Sequence, residues 1–187
     1  MGNRGGVLHN HEQEIVRQYK SRSWLTCRLE FKGRRRRVMT PRLYTELFFL
    51  DEATALAAGH RPCAECRRER FNAFKAAWKR WSVRDESKPL LVHEIDTELQ
   101  RTRIGSRREK IVYESPINAL PNGCFIRFEG SSCLVQEQSL LLWSPEGYKK
   151  KIDRPRDAAV TVLTPEPIVQ CLRHGYTSGV HESSLAL

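Results

Sequence analysis

Two cysteines that stand close together in the chain, Cys63 and Cys66, are the feature that most constrains how this protein folds. Thiolates at this spacing can bind one Zn²⁺ ion from a single turn, because the turn directs both sulfurs to the same side. The same spacing occurs in redox-active dithiols, but those lie in a βαβ pattern that this sequence does not show. The pair therefore predicts a zinc site, and a structural zinc needs two further ligands.

Helical patterns flank the cysteine pair on both sides. Residues 51–59 begin with the N-cap residue Asp51, continue with small helix-forming residues and end at Gly59, which is typical of a helix of about two turns. In residues 65–81 aromatic side chains recur at steps of three and four, which predicts an amphipathic helix with its aromatic side in the core. The cysteine pair thus lies close to the junction of two predicted helices.

The remaining metal ligands must come from elsewhere in the chain. Cys27 is the best third candidate, because it lies in a predicted strand ahead of a basic segment. The other cysteines lie in apolar strand and turn segments, where cysteine often behaves as a small buried hydrophobe: Cys124, Cys133 and Cys171. For the fourth ligand the sequence leaves four histidines open, the first of which stands shortly before the cysteine pair: His60, His9, His11 and His93.

Positive charge is concentrated in the first part of the chain. The protein has 187 residues, with 32 Lys and Arg against 22 Asp and Glu, and the whole net charge of +10 falls within residues 1–81. Such an excess on one compact unit attracts the phosphates of nucleic acids. We therefore expect DNA as the partner, with RNA as the alternative. The expected contacts are the arginines of the basic run and of the cysteine motif: Arg34, Arg35, Arg36, Arg37, Arg61, Arg67 and Arg68.

Hydropathy and cysteine usage bear on the compartment. No apolar stretch is long enough to span a membrane, and the first residues lack the apolar stretch of a signal peptide. We therefore expect a cytoplasmic protein with no membrane partner, associated with the nucleoid if the source is bacterial. In a reducing compartment its six cysteines are metal ligands or buried thiols before they are disulfides.

The second half of the chain has a different pattern. Beyond Pro116, short apolar or alternating runs are separated by Gly and Pro turns, which predicts a small antiparallel sheet or barrel of about four or five strands. We predict an α+β fold with a basic zinc module at 1–85, a helical connector at 86–115 and a β-rich domain at 116–187. The β-rich domain is a candidate surface for a protein partner. Two further short strands are expected over 24–31 and 43–50, and the last ten residues are expected to fray.

Residues 51–68, which read Asp-Glu-Ala-Thr-Ala-Leu-Ala-Ala-Gly-His-Arg-Pro-Cys-Ala-Glu-Cys-Arg-Arg, resemble the segment EALAAGFRPCKRC in the zinc-binding N-terminal module of the Ada DNA-repair proteins. In that family the Arg-Pro-Cys tripeptide and a second cysteine supply half of a four-cysteine zinc site. An upstream Cys-Arg, matched here by Cys27-Arg28, supplies a ligand that also accepts a methyl group from a DNA phosphotriester. The resemblance covers about residues 22–72 and implies an Ada-like module that binds zinc and DNA.

The sequence departs from the Ada pattern at one ligand. The family's second upstream cysteine would fall at Phe31, which cannot bind a metal, so a histidine is expected as the fourth ligand. We expect a zinc-containing DNA-binding protein that acts in DNA repair or in recognition of modified DNA. Two alternatives remain open. One is stoichiometric transfer of a methyl group to Cys27, and the other is metal-dependent cleavage of nucleic acid that uses His9 and His11.

Overall fold

The computed structural model describes residues 1–33, 37–82 and 88–187. These residues form a mixed α+β fold, as the sequence predicts. The elements in chain order are β1 (Gly2–Asn3), β2 (Leu25–Thr26), α1 (Glu52–Ala57), β3 (Arg61–Pro62), α2 (Arg68–Ser82), α3 (Val92–Arg103), β4 (Tyr113–Pro116), β5 (Phe125–Phe128), β6 (Ser131–Gln136), β7 (Ser139–Ser144), β8 (Gly147–Asp153), β9 (Ala159–Val162) and α4 (Glu166–Arg173). Short 3₁₀ helices occupy Ile117–Ala119 and Glu182–Ser184. Within the described ranges, no helix combines the length and the apolar character that crossing a bilayer requires.

A six-stranded antiparallel sheet dominates the second half, in the order β4-β9-β5-β6-β7-β8. The sequence predicts four of these six strands. Of the two predicted arrangements, a sheet and a barrel, the structure shows the sheet. The strands β4 and β8 lie at the edges of the sheet and are missed. β4 ends in Pro116, and β8 carries consecutive lysines at 149–151, so neither shows the apolar pattern of a central strand.

Both faces of this sheet are covered, because alternate residues of each strand point to opposite sides. On β6, Cys133 and Val135 join the main core with Phe74 of α2 and Leu99 of α3. Leu134, which lies between them, points to a second cluster that includes residues of α1. The helices α2, α3 and α4 pack in the main core, whereas α1 contributes Leu56 to the main core and Ala53 and Ala57 to the second cluster.

The first half contains a much smaller sheet, in which each strand has two residues. β2 pairs antiparallel with β1 and parallel with β3. The predicted strand over 24–31 is thus reduced to Leu25–Thr26, and the one over 43–50 is reduced to a single bridge between Leu47 and Gly2. The segment between them includes residues with positive φ, such as Met39, which interrupt extended backbone.

Helix α1 matches the sequence prediction closely. The Asp51 carboxylate accepts a hydrogen bond from the backbone N–H of Thr54 at 2.8 Å, which caps the first turn. After the helix, Gly59 has a φ of +83°, and a Cβ there would lie 2.6 Å from Cδ of Arg103. Helix α2 begins at Arg68 rather than at residue 65, because residues 64–67 form a turn that follows Cys63.

The three predicted parts of the chain share one core. A single cluster of buried residues contains Phe74 from the first part, Leu99 from the connector and Ile126 from the β-rich part. The predicted boundary near residue 85 lies outside the described residues. Because these side chains pack together, the segments that carry the cysteines are supported by the large sheet and its helices.

Two carboxylates at the start of α1 attach the C-terminal segment to the first half. Glu52 is buried and accepts hydrogen bonds from the Tyr176 hydroxyl at 2.9 Å and from the Gly179 backbone N–H at 2.9 Å. Asp51 accepts from the His181 backbone N–H at 3.1 Å. The expectation that the last ten residues fray is therefore wrong for the segment around Gly179 and His181, whose backbone N–H groups are bound by the buried Glu52 and the half-buried Asp51.

Candidate metal centre

Three cysteines from two segments meet at one end of the small sheet. Cys27 directly follows β2, and Cys63 directly follows β3. Since these strands run parallel with Thr26 opposite Pro62, the two cysteines leave the sheet side by side. The turn at 64–67 then returns Cys66 to the same place. The sulfurs of all three lie within 4.8 Å of one another.

The geometry and the chemistry of this cluster fit a thiophilic metal ion. Sulfurs around a tetrahedral Zn²⁺ are about 3.8 Å apart, given Zn–S bonds of about 2.3 Å. The Arg28 backbone N–H donates to Sγ of Cys66 at 3.4 Å. A hydrogen bond from Cys27, together with the backbone N–H groups of Cys66 and Glu65, lowers the pKa of Cys63 to about 5. The site thus supports negative charge on sulfur, which a zinc site requires.

The protons that remain lie on the other two thiols. The pKa of Cys27 is raised well above its ordinary value, because its thiol hydrogen-bonds to Cys63 and is partly buried. Burial likewise raises the pKa of Cys66. Without a cation, three thiolates this close repel one another. A bound metal would displace these protons, since it stabilises the ionised form of each thiol.

The histidines predicted as fourth ligands lie outside this group. Nε2 of His60 accepts a hydrogen bond from Nε of Arg4 at 3.3 Å, and its ring packs between Trp24 and Phe49 at centroid distances of 5.4 and 4.7 Å. Burial and the neighbouring guanidinium of Arg4 hold the pKa of His60 well below its usual value. His60 is therefore a neutral packed ring in this structure and not a ligand of the cluster.

The other three histidines are also separate from the cysteines. His9 is buried, with its Nδ1 at 2.6 Å from the Thr45 hydroxyl oxygen. His11 and His93 are exposed to solvent. Among the described residues, the cysteines Cys27, Cys63 and Cys66 are the metal-ligating side chains that come together. The fourth ligand predicted from the sequence is therefore not supplied by any of the four histidines in this conformation.

The cluster forms part of the wall of a cavity of about 810 Å³, which all three cysteines line. Arg28, Tyr44 and Phe48 line it as well, and the exposed fraction of Phe48 is 60%. Cys27, Cys63 and Cys66 would hold a thiophilic metal ion, and a site with three protein ligands would leave room for water or a substrate group. Sequence reasoning missed Arg28, Tyr44 and Phe48 as lining residues, although Arg28 directly follows a predicted ligand.

Two of the arginines predicted to contact DNA have structural roles instead. Arg61 is buried and forms a two-pronged ion pair with Asp96, with Nε–Oδ1 and Nη2–Oδ2 distances of 2.6 and 2.8 Å. Nη1 of Arg67 donates to the Thr26 hydroxyl at 3.2 Å and to Glu52 at 3.1 Å. The prediction for Arg61 is corrected, because a guanidinium enclosed with its carboxylate cannot reach a phosphate.

The other arginines predicted to contact DNA are either exposed to solvent or outside the described residues. Arg37 and Arg68 are exposed. The predictions for Arg34, Arg35 and Arg36 concern positions outside the described residues. The exposed arginines lie in the same part of the chain as the cysteine cluster, and Arg28, which the sequence analysis did not single out, adds a further exposed cation beside it.

The remaining cysteines are core residues, as expected from their apolar surroundings. Cys124, Cys133 and Cys171 are fully buried in the main cluster. Burial raises the pKa of Cys124 and Cys171 to about 12 and that of Cys133 to about 11, so all three stay protonated near neutral pH. The six thiols of the chain thus divide into three that converge at a cavity and three that pack in the core.

No family model, curated protein or solved structure matches this chain.

Proposed function

We propose that this protein binds one Zn²⁺ ion through Cys27, Cys63 and Cys66 and binds DNA on the surface around that site. The observation that carries the proposal is the convergence of three thiols at the wall of a cavity, within the part of the chain that holds the whole net positive charge. Zinc is favoured because sulfur ligands suit it and because it holds sites of this kind without redox chemistry.

The charge distribution supports DNA as the partner. Among the described residues, the exposed guanidinium groups of Arg28, Arg37 and Arg68 form no ion pair, so they can contact phosphates without breaking one. Phosphate contacts of this kind release counterions and give affinity that does not depend on sequence. The exposed ring of Phe48 at the cavity offers a surface on which an unpaired or modified base can stack.

Metal content tests the zinc site directly. Protein purified without chelator is expected to contain one zinc per chain, and Cys27→Ser and Cys63→Ser are expected to lose most of it. Cys133→Ala is the matched control, since it removes a buried thiol outside the cluster, and it is expected to retain the metal. His60→Gln is also expected to retain it. Full occupancy in both cluster variants would contradict the zinc proposal.

Salt dependence and charge variants test the DNA surface. Binding to a duplex should weaken steeply as salt rises, and each lost phosphate contact should reduce the slope of log K against log salt by about one. Arg28→Gln and Arg68→Gln are expected to show this change. Lys151→Gln, on β8 in the neutral half, is the control with the same loss of charge. Absence of binding at low salt, or an equal effect of the control, would overturn the DNA proposal.

A second candidate function is stoichiometric methyl transfer to Cys27. It is favoured by one observation: Cys27 is half-buried at the cavity, whereas Cys63 and Cys66 are each only 8% exposed. In this reaction the Cys27 sulfur forms a bond to the methyl carbon, the carbon–oxygen bond breaks, and the electron pair leaves with the phosphate oxygen as a phosphodiester.

Mass spectrometry after incubation with methyl-phosphotriester DNA tests this second function. One adduct of about 14 Da on Cys27 is expected, as for any cysteine that is methylated. Cys27→Ser should show none, and Cys133→Ala should behave as the unaltered protein. Zinc-loaded protein that binds the DNA but forms no adduct would exclude methyl transfer and leave the DNA-binding function standing.

A further inference from the structure

A second cavity, of about 330 Å³, is not lined by any of the cysteines, and the charged side chains in its wall are all positive. These cations are Arg4, Arg103, Arg108 and Lys110. Aromatic and aliphatic side chains complete the wall, including Trp24, Phe125 and Leu163. All of these residues are described, and none of the lining residues is acidic. The cavity therefore combines an apolar body with a concentration of positive charge.

The cations of this cavity are not neutralised by the protein. In the described part of the chain, none of the four forms an ion pair with a carboxylate. Arg4 donates to the His60 ring and to the Gln18 carbonyl, and Lys110 donates to the Ala57 carbonyl at 2.7 Å. These acceptors are neutral, so the positive charge of the cavity remains without a counter-ion.

Arg103 contributes charge at the back of the cavity. It is only 2% exposed, and its terminal nitrogens donate to the carbonyls of Gly59 and Arg22 and to the Gln100 side chain. Its Nε is buried without a hydrogen-bond partner. The guanidinium carbons of Arg103 and Arg4 each lie 3.9 Å from the centroid of the Trp24 ring. The ring stabilises both cations, and the Asp96 carboxylate that acts on Arg103 through space is already paired with Arg61.

These like charges repel one another, and Arg4 and Arg103 are also withdrawn from water, so a bound anion would stabilise the group. Burial lowers the pKa of Arg4 to about 10, that of Arg103 to about 9 and that of Lys110 to about 8. Donors remain for a ligand, because the Lys110 ammonium has hydrogens beyond its one bond and the Arg108 guanidinium makes no hydrogen bond within the described residues.

We propose that this cavity binds a phosphate monoester whose organic part packs against the apolar wall. A phosphate monoester carries nearly two negative charges at neutral pH, which matches the excess of cations better than a single carboxylate does. Arg108 and Lys110 bind the phosphate oxygens, Arg4 and Arg103 supply the surrounding field, and the half-buried side chains of Ile104 and Leu163 pack against the organic group. The volume suits a small ligand. The same phosphate could come from a free nucleotide or from the 5′ end of a DNA strand.

The proposal does not depend on the zinc site. The two cavities share no lining residue. Trp24 lines one and its neighbour Leu25 lines the other, as expected for successive residues that enter a strand and point to opposite sides. Binding in this second cavity should therefore persist in Cys27→Ser, provided that this variant folds.

Calorimetric titration with thymidine 5′-monophosphate, inorganic phosphate and thymidine provides the test. The monophosphate is expected to bind with one site per chain, phosphate to compete more weakly, and thymidine to show no measurable binding. Arg108→Gln and Lys110→Met should each weaken the monophosphate by about tenfold, as expected for loss of one charge-assisted hydrogen bond. Arg107→Gln and Lys151→Met are the matched controls, because they remove the same charges from exposed positions outside the lining, and each should change affinity by less than about twofold.

Short single strands with and without a 5′-phosphate distinguish the source of the ligand. If the protein prefers the phosphorylated strand, and if Arg108→Gln loses this preference while Arg107→Gln keeps it, the cavity binds the phosphorylated ends of strands. Binding of the free nucleotide alone, with the same variant pattern, assigns it to a small molecule. The proposal is overturned if no phosphate compound binds saturably below millimolar concentration, or if Arg107→Gln and Arg108→Gln weaken binding equally.

Discussion

The two sheets of this protein are stabilised in different ways. In the six-stranded sheet the strands have up to seven residues, and alternate side chains enter two apolar clusters. In the small sheet each strand has two residues, and polar side chains are buried around it beside aromatic ones. There the Arg61–Asp96 ion pair, the Arg4–His60 hydrogen bond and the three thiols replace aliphatic packing.

The large sheet and the region around the small sheet should therefore respond differently to the loss of one side chain. Apolar packing tolerates the loss of one group at a cost set by the cavity that remains, whereas a buried polar pair becomes unfavourable when one partner is removed. The region around the three cysteines is therefore the region that depends on complete sets of partners. Four measurements would test this contrast, and the first should show the largest effect.

Loss of Arg61 should destabilise the protein most. Arg61→Met leaves the Asp96 carboxylate buried with the Ser23 hydroxyl, at 2.6 Å, as a remaining donor. We expect the free energy of unfolding to fall by about 4 kcal/mol, measured by urea denaturation.

Two variants control for this result. Arg68→Met removes an exposed arginine from the start of α2 and should change stability by less than about 0.5 kcal/mol. The double variant Arg61→Met/Asp96→Leu should recover much of the loss, because it leaves no unpaired charge. If Arg61→Met and Arg68→Met had equal stability, the ion pair would not be what stabilises the polar region.

Truncation in the large sheet should cost somewhat less. Ile126 is fully buried in the main cluster, and Ile126→Ala should lower the free energy of unfolding by about 3 kcal/mol through lost burial and the cavity left behind. Arg127→Ala, at the next and exposed position of β5, is the control and should have little effect. An Ile126→Ala effect below that of Arg127→Ala would refute the assignment of this face to the core.

Removal of the metal should have a local effect. If zinc is bound as proposed, chelation should raise amide exchange by at least about tenfold for the residues around Cys27, Cys63 and Cys66. Amides of β5 to β7 should keep their protection, since their packing does not involve the cluster. Uniform loss of protection across both sheets would show instead that the two regions unfold as one unit.

The smallest effect is a pH dependence from Lys110 at the second cavity. Burial first, and the charge of Arg4 second, lower its pKa in the folded state to about 8 from an ordinary value of 10.5. Between these pH values the unfolded chain holds a proton that the folded chain has released, so this group makes stability rise with pH.

Comparison with Lys110→Met isolates this contribution. The stability of the unaltered protein relative to the variant should rise between pH 8 and 10.5 and be constant below and above that window. Lys151→Met, which removes an exposed lysine of β8, is the matched control for the loss of one positive charge. A difference that falls with pH would mean that the folded state favours the charged lysine.

Local patterns account for much of what could be predicted. The Asp51 cap and the residues up to Gly59 define a helix by themselves, because capping and helix propensity act within a few residues. The short apolar runs of β6 and β7, bounded by turn residues, predict strands for the same reason. The edge strand β8 was not predicted, because its three consecutive lysines are exposed to solvent. A strand at the edge of a sheet does not need the apolar pattern of a central strand.

The candidate site was predictable only in part. The spacing of Cys63 and Cys66 indicated two ligands, because one turn sets their separation. The third, Cys27, was a candidate that the parallel pairing of β2 and β3 brings into place. His60 stands close to Cys63 in the sequence, but its ring turns to Arg4 on the other side of β3.

The sequence by itself determined the short-range features: the capped helix, the cysteine turn, the amphipathic α2 and the concentration of charge in the first 81 residues. Tertiary structure alone decided which cations are free and which are paired. Arg61 and Arg4 look alike as residues of a basic chain, yet Arg61 pairs with Asp96, whereas the hydrogen bonds of Arg4 within the described residues go to neutral groups. That distinction depends on partners dozens of residues away, because electrostatic energy is set by distance in space and by burial rather than by position in the chain.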